Sequence, residues 1–124
     1  MKEYAIKEHH LYDKTFRKGE RFVGKLTAVY VLHDYKAKKL MSANPQKRYL
    51  NRVGLSVGKK LGGAVGRNRA KRLLREAYRT VKKTGRLKTG YLVVLAARED
   101  MRGKKTQDVA AELDRAFGKL GLLE

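Results

Sequence analysis

Residues 53–81 read Val53-Gly-Leu-Ser-Val-Gly-Lys-Lys-Leu-Gly-Gly-Ala-Val-Gly-Arg-Asn-Arg-Ala-Lys-Arg-Leu-Leu-Arg-Glu-Ala-Tyr-Arg-Thr-Val81. The hydrophobic period changes in the middle of this stretch. Val53, Leu55 and Val57 alternate with Gly54, Ser56 and Gly58. That two-residue repeat predicts a strand over 50–57 with one apolar face and one nearly bare face, and a bare face often marks close approach by another group. Beyond Gly62 and Gly63 the apolar residues Ala70, Leu73, Leu74, Ala77 and Val81 follow the 3.6-residue period of a helix, predicted over 64–83. Lys71, Arg72, Arg75 and Arg79 fall on the opposite side of that helix, and Gly85 follows its end.

The flanking chain supplies the rest of a layered fold. Tyr91 to Ala97 is a continuous apolar run, the pattern of a central strand covered on both faces. If it lies parallel to the strand at 50–57, the basic helix is a crossover connection. Residues 22–34 are rich in β-branched and aromatic side chains and read as one strand, with Ala28, Tyr30 and Leu32 on one face and Val29 and Val31 on the other. Residues 9–18 read as a short helix that brings Tyr12 and Phe16 together at i and i+4, with Gly19 suited to a left-handed terminal position. Thr106 is placed to cap a last helix whose stripe is Val109, Leu113, Ala116, Phe117 and Leu120. Residues 35–50, which hold Pro45, read as a mobile polar loop that could sit at a hairpin end. The expected class is α+β: an α–β sandwich with a central, mainly antiparallel sheet, one basic crossover helix and flanking N- and C-terminal helices, built as a single domain over 1–124.

Charge narrows the partners. The chain carries 31 Lys and Arg against 12 Asp and Glu, a formal charge of +19, while 42% hydrophobic residues leave enough for a core. Such an excess repels itself unless an anion neutralises it. Nucleic acid is the first candidate and an anionic membrane surface the second. Residues 59–86 hold eleven of the cations and one acid, Glu76. A helix built for solubility alone would mix both signs. Lys59, Lys60, Arg67, Asn68, Arg69, Lys71, Arg72, Arg75 and Arg79 are therefore the candidate nucleic-acid-binding residues, with the Gly62-Gly63 backbone amides opening the positive end of the helix.

The rings of Tyr12, Phe16 and Tyr30 have two readings, a core cluster or a surface on which unpaired bases stack. The bare Gly54-Ser56-Gly58 face gives the second reading a floor. His9, His10 and His33 complete no ligand set at a recognisable spacing, so no metal site or protein-based catalytic group is expected. Without cysteine there is neither a disulfide framework nor a thiolate site. No apolar run approaches the roughly 20 residues of a membrane span, and the N-terminus lacks a signal-peptide core; a cytoplasmic location fits.

The ungapped run from Val53 to Tyr78, centred on Arg67-Asn68-Arg69 and the following Lys71-Arg72-Leu73-Leu74-Arg75, resembles the signature of the bacterial ribonuclease P protein subunit. The resemblance extends more loosely over the whole chain. It implies a left-handed βαβ crossover, against the usual hand. It implies an accessory protein of an endoribonuclease whose catalytic subunit is RNA, with Mg²⁺ bound mainly by that RNA and precursor tRNA as substrate. By the same resemblance Arg67, Asn68, Arg69, Lys71, Arg72 and Arg75 face the catalytic RNA, and Tyr12, Phe16, Tyr30 and Ser56 line a cleft for the 5′ leader. Gly58 departs from the family pattern, which commonly has a hydroxyl residue there, and His9 stands where a Ser-type cap is frequent. The competing reading is a structural RNA-binding protein of the ribosomal type, which needs no leader cleft. A helix-turn-helix DNA binder is disfavoured because no short helix precedes the basic one.

Overall fold

Tyr91–Ala97 is the middle strand of a five-stranded sheet. The structure, a computed structural model, describes residues 4–6, 9–34 and 51–123. In chain order the elements are β1 (Tyr4–Ala5), α1 (His9–Lys18), β2 (Glu20–Val23), β3 (Thr27–His33), β4 (Arg52–Ser56), a 3₁₀ turn (Lys59–Leu61), α2 (Ala64–Lys82), β5 (Tyr91–Ala97), a second 3₁₀ turn (Glu99–Met101) and α3 (Thr106–Lys119). The sheet order is β1-β4-β5-β3-β2. The sheet is mixed. The longest ladder, β3 with β5, and the β2–β3 hairpin are antiparallel, whereas β4 pairs parallel with both β5 and β1. Because β4 and β5 are parallel neighbours, α2 is a crossover helix, as the sequence leads one to expect.

Alternation along the strands sorts the core into two layers. Val29, Val31, Val93 and Leu95 face α2 and α3, where they pack with Leu74, Ala77, Val81, Val109, Leu113 and Phe117. Leu92 and Val94 face the other way, beneath α1, and meet Ile6 and Leu11 with Tyr12, Tyr30 and Leu32 at the margin. β5 contributes to both layers, which is why its sequence is apolar without a break.

The segment read as one strand over 22–34 is two. The break lies at Gly24-Lys25-Leu26, and its cause is a buried carboxylate on α3. Glu112 accepts the Leu26 N–H at 3.1 Å on each oxygen and the Thr27 hydroxyl at 2.6 Å. A Cβ on Gly24 would stand 2.5 Å from that carboxylate, so a larger residue there would have to displace Glu112 from Leu26 and Thr27. The Arg98 guanidinium donates to the Gly24 carbonyl at 2.5 Å and closes the turn from β5.

Three smaller expectations also change. Gly19 does not adopt a left-handed conformation; a Cβ there would approach the carbonyl oxygens of Thr15 at 2.5 Å and Val31 at 2.6 Å, so glycine serves close approach instead. Thr106 is the first residue of α3 and not its cap. Its hydroxyl donates to Glu76 of α2 at 3.0 Å, while the Lys105 N–H donates to Asp108 at 3.0 Å. The connection 35–50 lies outside the described residues, but the strands it joins do not form a hairpin, since β5 separates β3 from β4.

Candidate nucleic-acid interface

The pairing register assembles one face from residues far apart in sequence. Across β4, β5, β3 and β2, the row Gly54–Val94–Tyr30–Arg21 lies next to the row Ser56–Ala96–Ala28–Val23. α1 rests on the first row. The Tyr12 ring covers Gly54, where a Cβ would stand 2.6 Å from the ring carbons and the hydroxyl. The bare position of β4 is thus occupied by an aromatic ring of the chain itself. Phe16, one turn further along α1, meets Tyr30 edge to face, with centroids 4.8 Å apart and an interplanar angle of 80°. Phe16 keeps 37% of its surface exposed. The second row continues past the rings with small side chains, and Val23 stands exposed at its end. Tyr12, Phe16, Tyr30 and Ser56 therefore share one side of the sheet, as expected. Gly58 does not join them: β4 ends at Ser56, and Gly58 begins the first 3₁₀ turn with open space over its α-carbon.

Arg21 and Val23 were not singled out by the sequence. Their position follows from the hairpin register, Arg21 opposite Tyr30 and Val23 opposite Ala28. With 22–34 read as one strand there was no signal that could place them there.

The second candidate surface is α2. Ala70, Leu74, Ala77, Tyr78 and Val81 are its buried stripe. At about 100° per residue, consecutive side chains cannot share a face. Arg67, Asn68 and Arg69 accordingly spread around the helix. Arg67 is half-buried on one flank together with Lys71, Asn68 points outward, and Arg69 is exposed on the flank nearer α3. Asn68, Arg72, Arg75 and Arg79 form the outward face, all exposed, with Val65 beside them at 86% exposure. Lys59 and Lys60 are exposed on the 3₁₀ turn. Gly63 begins the helix without a side-chain cap, which leaves its first amides facing outward.

The surroundings hold this face open. The salt bridge Arg52–Asp34, at 2.6 Å, sits at the start of β4 and uses none of these cations. Glu76, the lone acid of α2, is engaged by Thr106. Asn51 ties the helix to the sheet: its Nδ2 donates to the Tyr78 hydroxyl at 3.1 Å and the Lys88 carbonyl at 3.0 Å, and its Oδ1 accepts the Tyr91 N–H at 3.0 Å. Burial pushes the Tyr78 hydroxyl up to about 12, against a smaller lowering from Asn51. Partial burial lowers the Lys82 ammonium below its ordinary value. His9, His10 and His33 are exposed, and His33 packs edge to face with Tyr91 at 5.7 Å.

The two surfaces lie on opposite sides of the sheet and approach each other where β4 ends. Ser56 ends the aromatic side and Lys59 begins the basic one, three residues later. An extended chain spans at most about 10 Å over three residues. A single polyanion can touch both.

Residues 1–121 match the protein family described as Ribonuclease P. The chain is 35% identical to the ribonuclease P protein component of Clostridium acetobutylicum over 123 residues, covering 99% of this chain and 93% of that one. It is 37% identical to the component from Dehalococcoides mccartyi over 112 residues, 90% and 80% of the two chains. Among solved structures, the RNase P protein of Staphylococcus aureus superposes with a TM-score of 0.75 at 24% identity, covering 99% of this chain and all of that one. The protein from Thermotoga maritima superposes at 0.70 and 20% identity, with 97% of each chain covered. These two likenesses carry the α+β fold with its mixed sheet.

Proposed function

The chain belongs to the ribonuclease P protein family, and from that membership we propose that it binds the catalytic RNA through α2 and the 5′ leader of precursor tRNA through the α1 face of the sheet. The observation that carries the reading is the adjacency of the two surfaces, with three residues from Ser56 to Lys59. Lys59, Lys60, Asn68, Arg72, Arg75 and Arg79 meet RNA phosphates and riboses, while Arg67, Arg69 and Lys71 extend the contact along both flanks. Phe16 and Tyr30 offer ring faces to leader bases above the Ser56 row, and Arg21 supplies a cation beside them.

The chemistry belongs to the RNA in this reading. Among the described residues no group of three or more His, Cys, Asp or Glu gathers in a way that could hold a metal ion. Mg²⁺ resides on the RNA, and the protein's contribution is charge. A bound polycation lowers repulsion between catalytic RNA and substrate, so less Mg²⁺ is needed for cleavage. Binding in the cytoplasm, where the RNA is, completes the proposal. Among the described residues no helix is long and apolar enough to cross a membrane.

The test is cleavage of precursor tRNA at low Mg²⁺ by a matching catalytic RNA. Addition of this protein is expected to restore cleavage that the RNA alone performs only at higher Mg²⁺. An unchanged Mg²⁺ requirement removes the proposal. Cleavage by the protein with RNA rigorously absent overturns the assignment of chemistry to RNA.

A further inference from the structure

On the α3 side of α2, the first 3₁₀ turn, the opening turns of α2 and the turn after Met101 border a half-open cavity of about 350 Å³. Leu61, Ala70, Leu73 and Met101 form its apolar walls, Arg69 and Arg102 stand at its rim, and among the described residues no carboxylate lines it. A Cβ on Gly66 would collide with the Leu61 carbonyl, so glycine lets the first 3₁₀ turn sit against the backbone of α2 at the edge of the cavity.

We infer that this cavity takes one unstacked nucleotide of the RNA bound by α2, its base between the apolar walls and its phosphate against Arg69 and Arg102. The inference rests on the reading of α2 as an RNA-binding face. Three properties carry it. A volume near 350 Å³ lies at the small end of small-molecule sites, which suits a single nucleotide and excludes a duplex. An apolar slot with a cationic rim matches a flat base joined to an anion. Proteins read structured RNA chiefly at bases splayed out of the helix, and a guanidinium can both stack on such a base and bind its phosphate. α2 and α3 cover the opposite side of the sheet from Tyr12, Phe16 and Tyr30, so this nucleotide is distinct from any leader base stacked on those rings. Arg102 then acquires a role that neither its sequence surroundings nor the basic helix suggests.

The experiment is methyl NMR on the full chain, titrated with the four nucleoside 5′-monophosphates and with ribose 5-phosphate as the baseless probe. At least one nucleotide is expected to shift the methyl groups of Leu61, Ala70, Leu73 and Met101, and to saturate at a concentration about tenfold below ribose 5-phosphate. Arg102→Gln, at an exposed position outside α2, is expected to weaken that nucleotide about tenfold, the scale of one charge-assisted contact, with methyl groups elsewhere unmoved. Equal behaviour of ribose 5-phosphate would make this a phosphate site only and overturn the inference. Silent methyl groups, or an Arg102→Gln chain that binds like the parent, would overturn it as well. The α2 reading is tested separately through Arg72, Arg75 and Arg79, which do not line the cavity. If those substitutions weaken RNA binding while the methyl groups stay silent, the nucleotide site alone falls. If the methyl groups respond while those substitutions do nothing, the α2 reading falls instead.

Discussion

The Tyr12 ring lies so close over Gly54 that a Cβ added there would stand 2.6 Å from it. A glycine in the middle of a strand usually weakens the strand. Here it lets α1 settle onto β4, and that seating fixes where Phe16 meets Tyr30. The aromatic side of the sheet thus depends on one missing methyl group.

Gly54→Ala is expected to destabilise the fold by about 1–3 kcal/mol, the usual scale of overpacking, because the ring must move and α1 with it. Tyr12→Ala removes the obstacle, so the double variant should lose less than the sum of the single losses. Urea denaturation of the four chains measures this coupling. Strict additivity would show that Tyr12 and Gly54 do not constrain each other.

Phe16 is more than one-third exposed, so its truncation should not unfold the chain as removal of a fully buried ring would. Phe16→Ala is expected to weaken precursor tRNA binding by the holoenzyme by roughly 1–3 kcal/mol, the range for one lost base–aromatic stack. Mature tRNA, which has no leader, should bind parent and variant alike. Circular dichroism checks the fold first. Equal losses for both RNAs would return Phe16 to a purely structural role.

The parts of this fold that the sequence shows are those where one period runs long enough to read. Both α2 and β5 satisfy that, and their boundaries come out within a residue or two. The β2–β3 turn does not, because what breaks the strand is Glu112, 86 residues from Leu26. Gly19 was visible as a helix stop, yet its reason lies in the carbonyls of Thr15 and Val31, which only packing brings near. For the site the pattern is similar. The run of cations marks α2, but adjacency in sequence conceals that Arg67, Asn68 and Arg69 point in three directions. Arg21 and Arg102 become candidates only once strand register and a cavity are known.

That splaying sharpens the prediction for α2. Arg72, Arg75 and Arg79 share the outward face. Replacing all three with Ala should lower the log–log salt slope of catalytic-RNA binding by about 2–3, since each phosphate contact contributes roughly 0.7–1. Exposed cations on α3, Arg115 and Lys119, provide a charge control expected to change the slope less. A slope unmoved by the α2 substitutions would place the RNA elsewhere on the protein.

Tyr78 connects pH to the seating of α2. Burial raises its hydroxyl from 10.0 to about 12, so the folded state holds the proton more tightly than the unfolded chain. The resulting stabilisation is fully present below pH 10, where both states keep the proton. It falls as pH rises from there through about 12, with a total of about 2–3 kcal/mol. Tyr78→Phe should remove that alkaline loss. Its cost at neutral pH should be near 1 kcal/mol, because the Asn51 amide loses the hydroxyl but keeps the Lys88 carbonyl. Lysines discharge over the same range in both proteins, so the informative quantity is the difference between the two stability curves. Denaturant titrations at a series of alkaline pH values measure it. The parent should converge on, or drop below, the variant as pH approaches 12. Parallel curves would mean that the Tyr78 hydroxyl titrates alike in the folded and unfolded chains, and that its burial against Asn51 does not govern how α2 is held.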